Sequence, residues 1–464
     1  MNDVTGIGNA IIVMCGLYLV GGGFGCLVAM SGRQRRILNG SVLLVAVTAS
    51  IASLFAAAAK DVPFTLPVDR PLIVLLSLLL SLTGTALWAA PIFKLVDGIN
   101  DSSVGLSRYL FLCGSLLTLC VVSLPILLMA ALTCCLFAGT FCEFASGRLQ
   151  RSVDKRQAII VLSGLWGGYL LGELSSYEPI RKTSVLLIVV GLFASLEWMS
   201  IKRDAASNED SSIANLLSRT ILPVLAASVF LFRFSLLSQW TTSEASLLAA
   251  ISICCLGLWG LRLQSQIDST SRGRILTNVI FGQANLATVL SVWSARNPRL
   301  SWEESSNLTS PDSLFCLILV IESLAAFVYV WSSFDRSHCE EDENERPSQS
   351  KIWEMAATLS LCGVPPLPGA WWRLMLFNAL LLPHQRSVLT HLTEPHRGFI
   401  ALAIVTLLVN LLLATGGIRQ AQLMSAESHE SARSMLGKYL WLAVGCGLGL
   451  YVTLAIGQFA LMPA

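Results

Sequence analysis

Two charged residues stand where an apolar chain is least able to hold them. Glu322 lies in the middle of LILVIESLAAF, and Arg373 follows the proline-rich run GVPPLPGAWW. Three more belong to the same set: Arg233 in SVFLFRFSL, Glu197 in LFASLEWMS and Glu143 in AGTFCEFAS. An ionisable group inside an apolar span is expensive, and it marks a pathway for ions or protons, or a compensating partner for one. The chemistry such residues offer is charge handling: a carboxyl can take up and release a proton, while a guanidinium is a permanent cation. Each residue also has a plainer reading. Glu143, Glu197 and likewise Glu173 stand within a turn or two of the ends of their apolar runs, where side chains reach out to interfacial water. Arg233 suits either an acid or the exposed carbonyls of a helix end. Glu322 and Arg373 are read as facing a polar interior, neutralising each other or a third group. Arg373 also closes a segment that holds Gly363, Pro365, Pro366, Pro368 and Gly369. Prolines at that density break a helix. Broken backbone at membrane depth survives only when it is buried in protein or lines a polar cavity.

Other chemistry is unsupported. The thirteen cysteines include no CxxC pair, so zinc and iron–sulfur sites are not indicated. All but Cys339 fall in apolar stretches and read as small hydrophobes. His384, His391 and His396 share one connecting segment with Glu394, which reads as a solvated loop rather than a metal site. No nucleotide- or cofactor-binding motif is present, and Gly21, Gly22 and Gly23 lie inside an apolar run, where they serve close helix packing.

The elements that must carry these residues follow from composition. Of 464 residues 54% are hydrophobic and only 13% charged, against about 25% charged in soluble domains. A soluble core cannot bury so much apolar surface, and a net charge of +2 gives no polyanion-binding signal. The chain reads as an all-α polytopic membrane protein, a single transmembrane domain over 1–464. About fourteen stretches approach the ~20 residues needed to cross a bilayer. They lie near 6–30, 37–59, 71–93, 108–124, 125–146, 157–174, 183–201, 212–239, 244–262, 275–294, 313–333, 352–383, 398–416 and 438–460. Pro125 divides the fourth from the fifth, and the twelfth is broken at Gly363–Gly369. The first is too long for a cleaved signal and reads as a span. With both termini outside, most of the 31 basic residues fall in loops on the inner side, as the positive-inside rule requires. Trp240, Trp302 and Trp353 stand near span ends, the place of interfacial aromatic belts.

The segment from Ser360 to Phe377, SLCGVPPLPGAWWRLMLF, resembles the broken-helix signature of the antiporter-like subunits of respiratory complex I, the proton-translocating NADH:quinone oxidoreductase, and of Mrp-type antiporters. Gly363, Pro365, Pro366 and Gly369 match. Ala370 replaces a phenylalanine, and Arg373 stands where a membrane-buried lysine is expected. Upstream, residues 256–285 look like a second passage of the family, with Gln266, Asp268, Arg274, Ile275, Leu276 and Gln283 fitting. Phe327 and the segment from Phe399 to Met424 fall in the expected order. Fourteen spans with outside termini resemble the subunit lettered N. Three family positions are altered. Thr133 and Cys134 occupy the place of a buried glutamate, Ala194 follows Phe193 where a lysine is expected, and Val224 fills a lysine position nine residues before Arg233.

The resemblance implies a membrane-arm subunit in the bacterial inner membrane. Its partners would be the other complex I membrane subunits and, through them, the peripheral redox subunits. It would handle protons or cations with no cofactor, metal, nucleic-acid or redox site of its own. Buried lysine and glutamate suit proton relay because burial draws their pKa values toward the working range. Arginine stays charged up to a pKa of about 12 or more, so it can fix a field but not pass a proton. Two alternatives stay open: a non-conducting paralogue in the same assembly, and a stand-alone secondary transporter with its site at the broken helix.

Overall fold

The computed structural model describes residues 4–28, 30–58, 70–89, 103–145, 152–175, 177–205, 213–265, 269–296, 311–339, 349–365, 367–390 and 397–426. Its elements are all helical. They are α1 (Val4–Leu27), α2 (Gly32–Ala58), α3 (Arg70–Ala89), α4 (Ser103–Val121), α5 (Pro125–Ala145), α6 (Ser152–Leu174) and α7 (Glu178–Ala205). There follow α8 (Ile213–Leu237), α9 (Thr242–Ser265), α10 (Ser269–Arg296), α11 (Pro311–Cys339), α12 (Gln349–Leu361), α13 (Pro368–Thr390) and α14 (Arg397–Ala426). Among the described residues, eight helices carry an apolar stretch of 18 residues or more, long enough to cross a bilayer. The chain is an integral membrane protein. The first thirteen expected spans each coincide with a helix, except that the twelfth is two, α12 and α13. The fourteenth, 438–460, lies outside the described residues.

The helices form two compact units, Met1–Trp240 and Thr241–Ala464. In the first, α4 is central and packs on α1, α2, α3, α5 and α8. Its closest neighbour is α1, and small residues make that approach possible. A Cβ at Gly22 would collide with the backbone of Phe111 and Ser107, and one at Gly114 would come within 2.8 Å of the Leu19 amide nitrogen. Buried hydroxyls satisfy one another, as they must where water is scarce. Tyr18 Oη meets Ser81 Oγ at 2.9 Å, and Ser107 donates to Asn39 Oδ1 at 3.0 Å. Trp240, expected at an interface, is instead buried with its ring edge-on to Phe234, whereas Trp353 is 59% exposed.

In the second unit α10 is enclosed by α9, α11, α12 and α13, and its buried face is polar as well as apolar. Gln283 donates to Asn410 Oδ1 of α14 at 2.7 Å. Helices α9 and α14 run in the same direction along a ridge of small residues, with Gly260 against Leu412 and Gly416 against Leu263. Two helix starts are legible as capping boxes. Ser31 and Gln34 exchange backbone-to-side-chain bonds at 3.1 and 3.3 Å, as Thr241 and Glu244 do at 2.6 and 3.4 Å.

The α1–α4 approach is testable. Gly22→Val must push backbone against backbone, and overpacking of this kind costs about 1–3 kcal/mol. A lowered thermal midpoint of the detergent-solubilised protein is expected; an unchanged midpoint would show that α1 and α4 are not in this contact.

Candidate functional site

Helix α12 stops at Leu361 because its next donor is missing. A continuing helix would need the residue at 365 to donate to the Leu361 carbonyl, and Pro365 has no N–H. The chain closes in a Schellman turn instead. Val364 N donates to Leu359 O at 2.9 Å and Gly363 N donates to Ser360 O at 2.8 Å. That turn requires a left-handed residue, which Gly363 supplies with φ of +73°. Val364 and Leu359, the two positions whose apolar side chains usually accompany such a turn, are both buried. Helix α13 restarts at Pro368, a good first helical residue because its missing donor is not needed there. Gly369 N donates to Ser360 Oγ at 3.2 Å, and the absence of a side chain lets it lie against the Ser360 carbonyl. Pro366 is outside the described residues.

The turn leaves the Leu361 carbonyl without a helical donor, and Arg373 serves it through Nη2. Arg373 is only 1% exposed. A Cβ at Gly363 would collide with its guanidinium, so the glycine is needed for space as well as for backbone angle. Glu322 enters from the middle of α11. Its Oε1 accepts a 2.5 Å hydrogen bond from Trp372 Nε1 and lies 3.9 Å from Arg373 Nη2. The latter is an ion-pair distance, beyond hydrogen-bonding range. The guanidinium carbon also sits 5.0 Å from the Trp372 ring centroid, within reach of a cation–π interaction. Glu322 Oε2 meets no protein donor among the described residues. The cluster is thus a permanent cation held to backbone, beside a carboxylate with one oxygen engaged and one without a hydrogen-bond partner among the described residues.

The first unit repeats one half of this device. Arg233 of α8 donates to the carbonyl of Cys120 and, at 2.7 Å, to that of Val122. Cys120 is in the last turn of α4 and Val122 follows directly after it, just before Pro125. Of the two roles open to Arg233, the carbonyl partner is the one seen. Of the altered family positions, Thr133 accepts from Trp166 Nε1 at 3.2 Å, and Val224 is buried. Glu173 is exposed near the end of α6, as a span-end acid should be. The side chains of Glu143, Glu197, His384, His391 and His396 are outside the described residues, as are Gln266, Asp268 and Glu394. No metal-binding group of His, Cys, Asp or Glu is found among the described residues.

Trp372 was not assigned a role by sequence reasoning. Its signal is the tryptophan doublet before Arg373: adjacent helical residues face different ways, and Trp371 is 51% exposed while Trp372 is 1%. Also missed is a buried ion pair between Arg272 of α10 and Glu354 of α12, 3.6 Å apart. Both lie near helix starts, where sequence alone suggests solvated ends.

A chain of respiratory complex I from Thermus thermophilus, solved with bound aureothin, matches with a TM-score of 0.55. It is 15% identical, and the match covers 96% of this chain and 98% of that one. The fold is shared. A chain of the membrane-bound sulfane sulfur reductase, an archaeal respiratory membrane complex, matches with a TM-score of 0.58 at 13% identity, over 96% and 94% of the two chains. No protein-family model matches this sequence, and no curated protein does.

Two substitutions probe the cluster. Gly363→Ala meets both a left-handed backbone and the Arg373 guanidinium, and strained positions of this kind cost about 1–3 kcal/mol. A lowered thermal midpoint and faster amide exchange across α12 are expected. Trp372→Phe keeps an aromatic ring, though a smaller one, and removes the donor to Glu322, a loss of about 1–3 kcal/mol for a buried bond to a charged group. An unchanged midpoint would mean that the indole does not hold the carboxylate.

Proposed function

We propose that this chain is a membrane-arm subunit of a respiratory complex of the NADH:quinone oxidoreductase kind, in the position of the subunit lettered N, and that it contributes to proton translocation coupled to quinone reduction in partner subunits. The observation that carries the reading is the fold, matched along 96% of this chain by chains from two respiratory complexes. The broken helix with its buried charge gives the reading a chemical centre. Within that centre Glu322 is the group able to change protonation state. Its free Oε2 is the place for the proton, and Trp372 holds the other oxygen. Arg373 cannot release a proton at any working pH. It acts as a fixed positive charge that stabilises the carboxylate and holds the end of α12. Partners would be the neighbouring membrane subunits and, through them, the NADH-oxidising and quinone-reducing subunits. The chain would sit in a bacterial inner membrane with both termini on the outer side.

One observation favours a second reading. Arg233 and Arg373 both hold backbone carbonyls at helix ends, which is structural work and needs no conduction. The chain would then be a scaffold in the same assembly.

Purification of the tagged native protein in mild detergent, with mass spectrometry of what accompanies it, tests membership. Recovery with NADH-oxidising and quinone-reducing subunits is expected; recovery as a stable lone protein would overturn the subunit reading in favour of a separate transporter. In the assembled complex, Glu322→Gln should lower the proton yield per quinone reduced while leaving assembly and electron transfer intact. An unchanged yield would leave the scaffold reading standing.

A further inference from the structure

Helix α12 is only thirteen residues long, and arginines from two other helices engage it near its two ends. Arg373 of α13 serves the carbonyl of its last residue, Leu361. Near its start, Glu354 faces Arg272 of α10, with Oε1 and Nη1 3.6 Å apart and the two side chains 1% and 3% exposed. Glu354 lies in the second turn of α12, beyond the first turn where the helix macrodipole is felt. The charge pair itself is therefore the restraint there. Because the backbone breaks after Leu361, no continuing helix fixes the height or rotation of that end. From Glu354 to Leu361 is seven residues, about two turns and ~10.5 Å along the axis, so the two positions fall on one face of a short rigid rod. Moving or turning α12 at Glu354 moves the Leu361 carbonyl with it.

We infer that Arg272 and Glu354 are positioning residues: their buried ion pair seats α12 so that the Leu361 carbonyl meets Arg373 and leaves the guanidinium beside Glu322. The inference rests on the proposed role of Glu322 and Arg373 for its functional consequence, but not for its geometry. Replacing either charge takes this counter-charge away from a buried ion, and α12 shifts as that ion settles against water or its other neighbours. The break then opens at its C-terminal end, while the α13 side of the site keeps its residues.

The chain carries its own reporter. Cys362 is a fully buried free thiol next to Leu361, and a Cβ added at Gly417 of α14 would lie 2.5 Å from its Cβ, so reagent reaches it only when the break opens. The experiment uses the assembled complex and follows N-ethylmaleimide labelling of Cys362 at the peptide level, together with the proton yield per quinone reduced. Glu354→Gln and Arg272→Met should each speed Cys362 labelling by about fivefold or more, the change that a loss near 1 kcal/mol in local closure gives. The exchanged pair, Arg272→Glu with Glu354→Arg, should bring labelling back toward the native rate, and the proton yield should fall and recover in step. Should a single variant fail to assemble, Glu354→Asp, which keeps the charge with a shorter reach, carries the test with an intermediate rate. Native labelling rates in the single variants, or no recovery in the exchanged pair, would overturn the positioning role. Labelling that responds while proton yield does not would support the positioning role and overturn the proton-handling role of the site.

Discussion

A carbonyl that has lost its helical donor cannot be left bare in a membrane. Proline removes that donor wherever it interrupts a helix, and no bulk water replaces it. In this chain the debt falls at the end of α4, before Pro125, and at the end of α12, before Pro365. In both places a buried arginine reaches across from another helix to carbonyls at the helix end: Arg373 to that of Leu361, which Pro365 leaves without a donor, and Arg233 to those of Cys120 and Val122 on either side of the residue that Pro125 would have served. The fork-shaped guanidinium suits the task, since it offers several donors in a fixed plane. Much else is arranged around that choice. Gly363 provides the turn and the space, and Trp372 orients the carboxylate that balances the charge. Glu322 supplies the negative charge at the one depth in α11 where it meets Arg373.

Much of this architecture was legible in the sequence because membranes make simple demands. The apolar stretches located the helices from α1 to α14, and the glycine–proline run located the break between α12 and α13. Glu322 and Arg373 stood out because a charge amid apolar residues has few tolerable surroundings. The choice between partners did not follow from sequence. Whether Arg233 served an acid or a carbonyl depended on which helix end lay across from α8, a long-range fact that periodicity does not encode. The Arg272–Glu354 pair was hidden for a related reason: charges near span ends look solvated until tertiary packing covers them. Trp240 erred in the same direction, since its place near a span end said nothing of its burial against Phe234.

That residue 373 is an arginine and not a lysine sets the division of labour in the proposed site. A buried lysine can serve both as counter-charge and as proton carrier, because desolvation brings its deprotonated form within reach. Arg373 keeps only the first role. In the proposed role the ability to change charge belongs to Glu322, on a different helix, and the two functions become separable. A carboxylate and a guanidinium at 3.9 Å also make a cluster that is neutral overall, which eases the burden of charge in an apolar interior.

Glu322 stands near the midpoint of the apolar stretch Leu314–Ser333. In the proposed role, a proton reaching it from either face crosses only part of the electric field of the membrane. Full passage of one charge is worth about 2.3 kcal/mol per 100 mV, so arrival at mid-depth is worth roughly half of that. Since Arg373 contributes the same charge whether or not the proton is present, the voltage acts on a single titrating group. Occupancy of that carboxyl would then follow membrane potential as well as pH, and one buried residue would sense both components of the proton-motive force.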